Sequence, residues 1–538
     1  MKHLSIKILS LIFIALLLYA CAKKGRPDGG PIDEIPPEVV KTSPENYSIN
    51  FDKQEITINF NEYIVLEDPR NQIIFSPPIQ PRPEIQPMSY ATQQLKIILP
   101  DSLSDNTTYT INFGTSIVDN NEANTLPYYS YVFSTGDYLD SLAIKGKVRV
   151  ANSQKVENTI SVMLYQADTS YTDSAVLRKT PRYIAYSQDS TNNFQLSNLK
   201  AGKYKMFAVE DNNGNYTYEP QTDQIGFIKD TITIPGDSIF DVSVFKEKQE
   251  IDFRRPEQVS QNQYLIGFSG TIDSTALDID FLNDQDSLSW QLERRADSDS
   301  LNLWTKPFLQ QDSIAMKISH KKVIDTFTLR PKEIEKDSLK IDQKTKSTLD
   351  LYQTMTIKAS IPLTKIDTSK IKTYIKKDSS QVDFQTDYFN YSNQLTIKHQ
   401  KEEATTYVYE MMPGAFEDWL GNKNDSISYS AKTKRVRDYG TLNLTFNGIN
   451  NFPVIVQLIN DQDKVIKSKV VKKRKSVFFE FIDPGDYFVR IIIDENENGI
   501  WDTGNYLQGK QPEDIIYYNE SLKIRAYFDH QQTINFRP

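Results

Sequence analysis

The amino-acid sequence predicts an all-β fold, a tandem row of β-sandwiches behind an export signal, on three observations. From residue 36 onward, short stretches alternate apolar and polar residues, as in Ile56-Thr57-Ile58-Asn59-Phe60, Leu95-Lys96-Ile97-Ile98-Leu99 and Tyr109-Thr110-Ile111-Asn112-Phe113. A period of two puts the apolar members on one pleated face. Asn, Asp, Gly and Pro interrupt these stretches at short intervals, the rhythm of sandwich strands and turns. No long window carries a helical period, and helix-like pieces such as Ala415-Phe416-Glu417-Asp418-Trp419-Leu420 last a turn or two.

A chain of 538 residues exceeds what one core can serve, so several domains of about 100 to 150 residues are expected. Thirty Tyr and 27 Phe supply large apolar faces, while 38% hydrophobic and 25% charged residues describe a surface-rich chain. Lys and Arg total 62 against 71 Asp and Glu, a net charge of −9. With no basic cluster large enough to neutralise a run of phosphates, nucleic acid is not an expected partner.

Residues 1–20 read as the export signal: Lys2, His3 and Lys7 form a cationic head, Ile8 to Leu18 an apolar run, and Ala20 and Ala22 are small. The run falls short of the ~20 residues that span a bilayer, and no later segment approaches that length. Leu18-Tyr19-Ala20-Cys21 resembles a bacterial lipobox, with Tyr19 where a small residue is usual. The resemblance implies that Cys21 is acylated on sulfur and becomes the new amino terminus. The other reading is a cleaved secretory signal followed by an incidental cysteine. Cys21 is the only cysteine, and a lone thiol in an oxidising envelope has no disulfide partner, a liability that acylation removes. Several acyl chains, at ~0.8 kcal/mol per buried CH₂, suffice for stable anchoring. Loss of residues 1–20, which hold two Lys and no acid, leaves −11. Residues 21–35, with Lys23, Lys24 and Arg26 among Gly and Pro, read as a flexible tether. No acidic cluster directly follows Cys21, so the acidic surface-export signal of Bacteroidota lipoproteins is only weakly matched. The expected location is the outer membrane, with either face open.

Internal repeats organise the remainder. Gln94-Leu95-Lys96-Ile97, Thr107-Thr108-Tyr109, Gly114 and Tyr131 to Thr135 return, at almost the same spacing, as Gln394-Leu395-Thr396-Ile397, Thr405-Thr406-Tyr407, Gly414 and Tyr429 to Thr433. The first copy opens with Pro36-Pro37-Glu38-Val39-Val40, continues through Ser43-Pro44-Glu45-Asn46 and reaches Phe60-Asn61-Glu62. These residues resemble the bacterial Ig-like module of surface-layer and lipoprotein chains, over residues 36–137 and, without the Pro-Pro opening, 345–435. A second pair follows. Phe194 to Tyr204 with Gly202, then Asp211-Asn212-Asn213-Gly214-Asn215, is matched by Phe479 to Tyr487 with Gly485, then Asp494 to Asp502. This pattern resembles the prealbumin-like sandwich of carboxypeptidase regulatory domains, over 141–248 and 438–538. Residues 250–335 alternate like strands without a placeable motif and are read as a further β-rich domain, and charge-dense Lys332 to Ser347 reads as a linker.

Asp494-x-Asn496-x-Asn498-Gly499-x-Trp501-Asp502 offers the sharpest chemistry. Oxygen donors at alternate positions, the Ile500 carbonyl and a Gly at the sixth position match the front half of a Ca²⁺ loop, but the closing Glu is absent because Asn505 stands there. Calcium bound here would be weak and extracellular in character, and no other cofactor is expected. The competing reading is a β-turn connection in which Asx side chains cap their own backbone. The shorter copy, Asp211 to Asn215, has Thr217 where Asp502 aligns.

No enzyme is expected. His320, His399 and His530 lie in separate strand regions without metal-ligand spacing, and Gly267-Phe268-Ser269-Gly270 lacks the frame of a nucleophile elbow. Trp290, Trp304, Trp419 and Trp501 are scattered over different modules, which favours packing over a sugar platform. The order of modules resembles Ig-like lipoproteins of Bacteroidota. That resemblance implies a membrane-tethered binding or scaffold subunit, an accessory of an outer-membrane β-barrel in assembly or transport, with a glycan-binding or adhesive lipoprotein as the alternative.

Overall fold

The computed structural model describes residues 33–536, apart from 189–190, 237–238, 274–275, 283–287, 296–298 and 310–311. Residues 1–20, Cys21 and most of the tether lie outside the described residues. The described residues are 49% strand and 3% helix, an all-β composition. Its apolar side chains gather into successive cores, built from residues between 51 and 133, 144 and 245, 253 and 329, 341 and 431, and 442 and 536. Each belongs to a two-sheet sandwich, called first to fifth below.

The repeats read from the sequence are repeats of topology. In the second sandwich Tyr183–Tyr186, Ser161–Gln166, Gly202–Glu210 and Gln224–Phe227 pair in that order opposite Asn193–Leu199, Leu142–Val150 and Ile239–Val244. The fifth reproduces this with Val465–Val471, Val454–Ile459, Gly485–Ile493 and Ile515–Ile524 opposite Ser476–Ile482, Gly440–Asn447 and Asp529–Asn535. In both, the last strand runs parallel to the first. At the centre of the second sandwich's parallel pair, Gly146 is required by closeness: a Cβ there would stand 1.9 Å from the Phe240 carbonyl oxygen and 2.6 Å from the Phe194 ring.

The repeated motifs owe their spacing to particular hydrogen bonds. In the Gly-x-Tyr turn the Tyr204 hydroxyl donates to the Lys200 carbonyl at 2.8 Å, and the Tyr487 hydroxyl to the Asp483 carbonyl at 2.8 Å. The small Gly leaves room for the ring to fold back over the turn. In the Thr-Thr-Tyr motif the Tyr109 hydroxyl accepts the Ser104 N–H at 2.8 Å, and Thr135 accepts the Thr107 N–H at 3.1 Å. Tyr407 and Thr433 do the same for Glu402 and Thr405, at 2.7 and 2.9 Å.

The third sandwich sets Asp252–Phe253, Gln263–Ser269, Ser300–Lys306 and Ser289–Arg294 against Leu277–Phe281, Ile314–His320 and Val323–Leu329. Two local expectations are corrected. Phe416–Asp418 is a strand paired with Leu363–Ile366, not a helical turn: Phe416 and Asp418 are buried, and the Asp418 carboxylate accepts the Leu420 and Asn422 N–H groups to close the following turn. Within Lys332 to Ser347, Ile341–Gln343 pairs with Met355–Ala359, and buried Ile341 enters the fourth core. One apolar residue every few positions was too sparse a signal beneath the charges.

The sandwiches do not form an open string. The first meets the second where Asn198 donates to Thr110 at 2.8 Å and Ile74 enters a second-sandwich core. The third and fourth are joined by Lys306 to the Trp419 carbonyl at 3.0 Å and by buried Glu293 to Lys358 at 2.8 Å. The fourth and fifth meet where Asp350 accepts from the Tyr439 hydroxyl at 2.7 Å and where Lys434 pairs with Asp483 at 2.7 Å. The fifth then returns to the second, closing a circuit of four sandwiches.

Candidate functional site: the junction of the second and fifth sandwiches

The segment between strands Gly485–Ile493 and Ile515–Ile524 is long because it crosses to another sandwich. It carries the Asp494-to-Asp502 loop and then Tyr506, only 8% exposed, which inserts into the second sandwich. Its ring meets Phe207 edge-on at 5.1 Å and Phe227 at 5.3 Å, geometries that suit aromatic quadrupoles. The Tyr506 hydroxyl donates to the Asp173 carbonyl at 2.7 Å, and its backbone N–H donates to Glu247 at 2.6 Å. Around this plug, Thr503 donates to the Lys246 carbonyl at 2.6 Å and Gln511 to the Phe227 carbonyl at 2.8 Å. Farther along, Arg490 reaches the Asn152 carbonyl at 3.0 Å and Ser153 pairs with Asp463 at 2.7 Å. A buried aromatic ringed by satisfied polar contacts has the anatomy of a specific interface.

The predicted calcium loop sits inside this junction. Asp494 accepts the N–H groups of Asn498 at 3.1 Å and Gly499 at 2.9 Å, and Gly499 supplies a φ of 78°. The amides of Asn496 and Asn498 donate to one oxygen of Asp502, and Lys248 of the second sandwich donates to the other at 2.7 Å. Ile500 is exposed, and its N–H is taken by Asn498. Glu513, 19 positions beyond Asp494 and unnoticed in the sequence, accepts the N–H groups of Glu495 and Asp502 at 3.0 and 2.9 Å. The Lys248 ammonium thus balances the Asp502 carboxylate, and the Asp494, Asn496 and Asn498 side-chain oxygens accept backbone N–H groups of the loop. These contacts make the loop an ammonium-to-carboxylate cross-link between the two sandwiches. Among the described residues no three His, Cys, Asp or Glu side chains gather as a metal-holding group. In the second sandwich Asp211 likewise caps Gly214 at 2.8 Å and Tyr216 at 2.7 Å.

Electrostatics follow from these contacts. Lys248, aided by the two Asn amides, holds the Asp502 carboxyl down to about 2 from its ordinary 3.8. Burial, reinforced by the Asp502 and Asp494 carboxylates, pushes Glu513 up against the pull of its two backbone N–H donors.

Beside the junction lies an open groove of about 900 Å³, lined among others by Lys147, Arg149, Asn192, Asn451, Tyr517 and Asn519. The carboxylates of Asp241, Glu513 and Asp514 and apolar side chains such as Val150, Ile449 and Ile516 complete a mixed lining. The histidines remain apart: His320 accepts the Asp273 N–H at 3.1 Å, His399 meets the Tyr409 hydroxyl at 2.8 Å, and His530 accepts the Arg525 N–H at 2.9 Å. Trp304 is 2% exposed and offers no sugar platform, while the half-buried Trp501 donates its indole N–H to the Glu513 carbonyl at 3.0 Å.

Two outcomes are expected. Tyr506→Ala should cost about 3–5 kcal/mol of docking energy, the range for deleting a buried large aromatic. Small-angle scattering should then show the fifth sandwich released from the second, while Tyr506→Phe keeps it docked. Because the Asp502 pKa is lowered on folding, its contribution is fully present above the unfolded value of 3.8 and is lost as pH falls toward about 2. The difference in Tm between the native chain and Lys248→Met, followed by calorimetry, should therefore be constant near neutrality and shrink across that acid window.

A comparison with curated proteins finds no match. Among solved structures, the chain is similar to BcpA, the major pilin subunit of Bacillus cereus, at 10% identity and a TM-score of 0.14, covering 74% of this chain and 99% of that one. It is similar to domains 1–6 of the surface layer protein SbsC, at 9% identity and a TM-score of 0.16, covering 88% and 67%. A third is SGBP-B of the Bacteroides ovatus mixed-linkage glucan utilization locus, in complex with a heptasaccharide, at 8% identity and a TM-score of 0.17, covering 70% and 93%. Scores this low carry no functional argument. Residues 33–135 match the bacterial Ig-like domain family, which gives the first sandwich its kind.

Proposed function

We propose that this protein is a non-catalytic binding and scaffold subunit, tethered to the outer membrane through acylated Cys21 and serving as an accessory of an outer-membrane β-barrel protein or complex. The observation that carries the scaffold role is the return of the fifth sandwich onto the second through Tyr506, which converts jointed modules into a braced frame. A braced frame presents its faces at fixed separations, so several contacts with one partner are made without ordering loose joints at binding. An acyl tether raises the effective concentration of those faces beside a membrane partner. The position of the single cysteine, directly after an apolar run and before a Gly- and Pro-rich segment, supports the tether. Calcium has no part in this reading, because Lys248 already balances Asp502.

The glycan-binding alternative draws on the open groove beside the junction. Purification from detergent-solubilised membranes separates the two. Under the proposal, mass spectrometry finds an acylated amino terminus at Cys21, and a β-barrel protein co-purifies in stoichiometric amount. A free thiol with no barrel partner, or retention on immobilised polysaccharide alone, would contradict it.

A further inference from the structure

We propose that the basic strip Lys464 to Lys475 of the fifth sandwich is a docking surface for an anionic phospholipid bilayer. Between 464 and 475 the chain carries Lys464, Lys467, Lys469, Lys472, Lys473, Arg474 and Lys475 and no acid, although its net charge is −9. This corrects the expectation that the cations form no sizeable cluster. Chain-wide composition hides it.

Strand Val465–Val471 is the outermost member of its sheet, and residues 472–475 cross from it to Ser476–Ile482 in the opposite sheet. Two cations are engaged locally: Lys467 lies 4.1 Å from the centre of the Tyr352 ring, and Lys469 donates to the Phe478 carbonyl at 2.7 Å. The other five are exposed, and none makes a side-chain hydrogen bond or ion pair among the described residues. Val465, Ile466, Val470 and Phe478, at 40, 38, 47 and 47% exposure, stand among them.

Unpaired cations interleaved with exposed apolar side chains are what a phosphate-bearing interface accommodates: cations meet headgroups and the apolar groups enter the acyl boundary. Lysines on an edge strand also discourage strand pairing, but four of these seven cations lie beyond the strand, in the connector, where there is no edge to guard. A single-stranded nucleic acid would call for several stacking aromatics, and Phe478 is the one exposed ring within Lys464 to Phe478.

The inference stands apart from the acyl anchor, and the test removes that anchor. The chain carrying Cys21→Ser is mixed with vesicles of phosphatidylcholine alone, or with about 30% phosphatidylglycerol, and sedimented. Binding to the anionic vesicles only is expected, weakening as salt rises from about 0.05 to 0.5 M. Lys472→Gln, Lys473→Gln, Arg474→Gln and Lys475→Gln together should lower the partition coefficient at least about tenfold. The charge-preserving set Lys472→Arg, Lys473→Arg and Lys475→Arg should retain binding, which separates lost charge from lost fold. Equal binding to both vesicle types, undiminished binding by the Gln set, or tighter binding to single-stranded RNA than to anionic vesicles would overturn the proposal.

Discussion

The insertion of Tyr506 into the second sandwich is the contact on which the architecture depends. Tandem sandwiches touching only their sequence neighbours behave as a one-dimensional array, each joint free to bend. Tyr506 belongs to the last sandwich, yet its ring rests on Phe207 and Phe227 of the second. Because the intervening modules hold the partners near each other, the contact forms at high effective concentration. Once made, it restrains every joint in the circuit.

The polar shell of the junction defines its register. Lys248 and Asp502 face each other from different sandwiches, and Glu513 and Asp494 satisfy the backbone N–H groups of the crossing segment. Leaving such buried groups unpaired would cost more than each bond gains, so slippage of the loop is penalised at several points together. The same loop in the second sandwich, built on Asp211, performs the capping, and there the Asn213 and Asn215 amides donate to the Glu219 carboxylate at 2.6 and 2.8 Å. The loop that reads as a calcium motif bridges two sandwiches through Lys248 and Asp502.

Much of the fold was legible in the sequence, since alternation marked strands and spacing marked copies. Gly202-x-Tyr204 and Gly485-x-Tyr487 recur because one ring must fold back over one small residue, a local constraint that leaves a local signature. Phe416–Asp418 escaped because three residues are too few to show a period. Ile341–Gln343 escaped because charge surrounds it. Tyr506 gave no sign of its role: its pocket is assembled from residues about 300 positions earlier, a relation that no window of sequence contains. Glu513 was missed for a related reason, lying beyond the twelve positions of the motif considered. The basic run was present to be seen and was obscured by averaging charge over the whole chain.

Zero-length carbodiimide cross-linking of the native chain, followed by peptide mass spectrometry, tests closure of the frame most directly, since it joins an amine only to a carboxylate already in contact. The Lys248 ammonium lies 2.7 Å from Asp502, so closure predicts an intramolecular product linking the peptides that contain those two residues. Products confined to sequence-adjacent modules, with Lys248 and Asp502 both recovered unlinked, would contradict it.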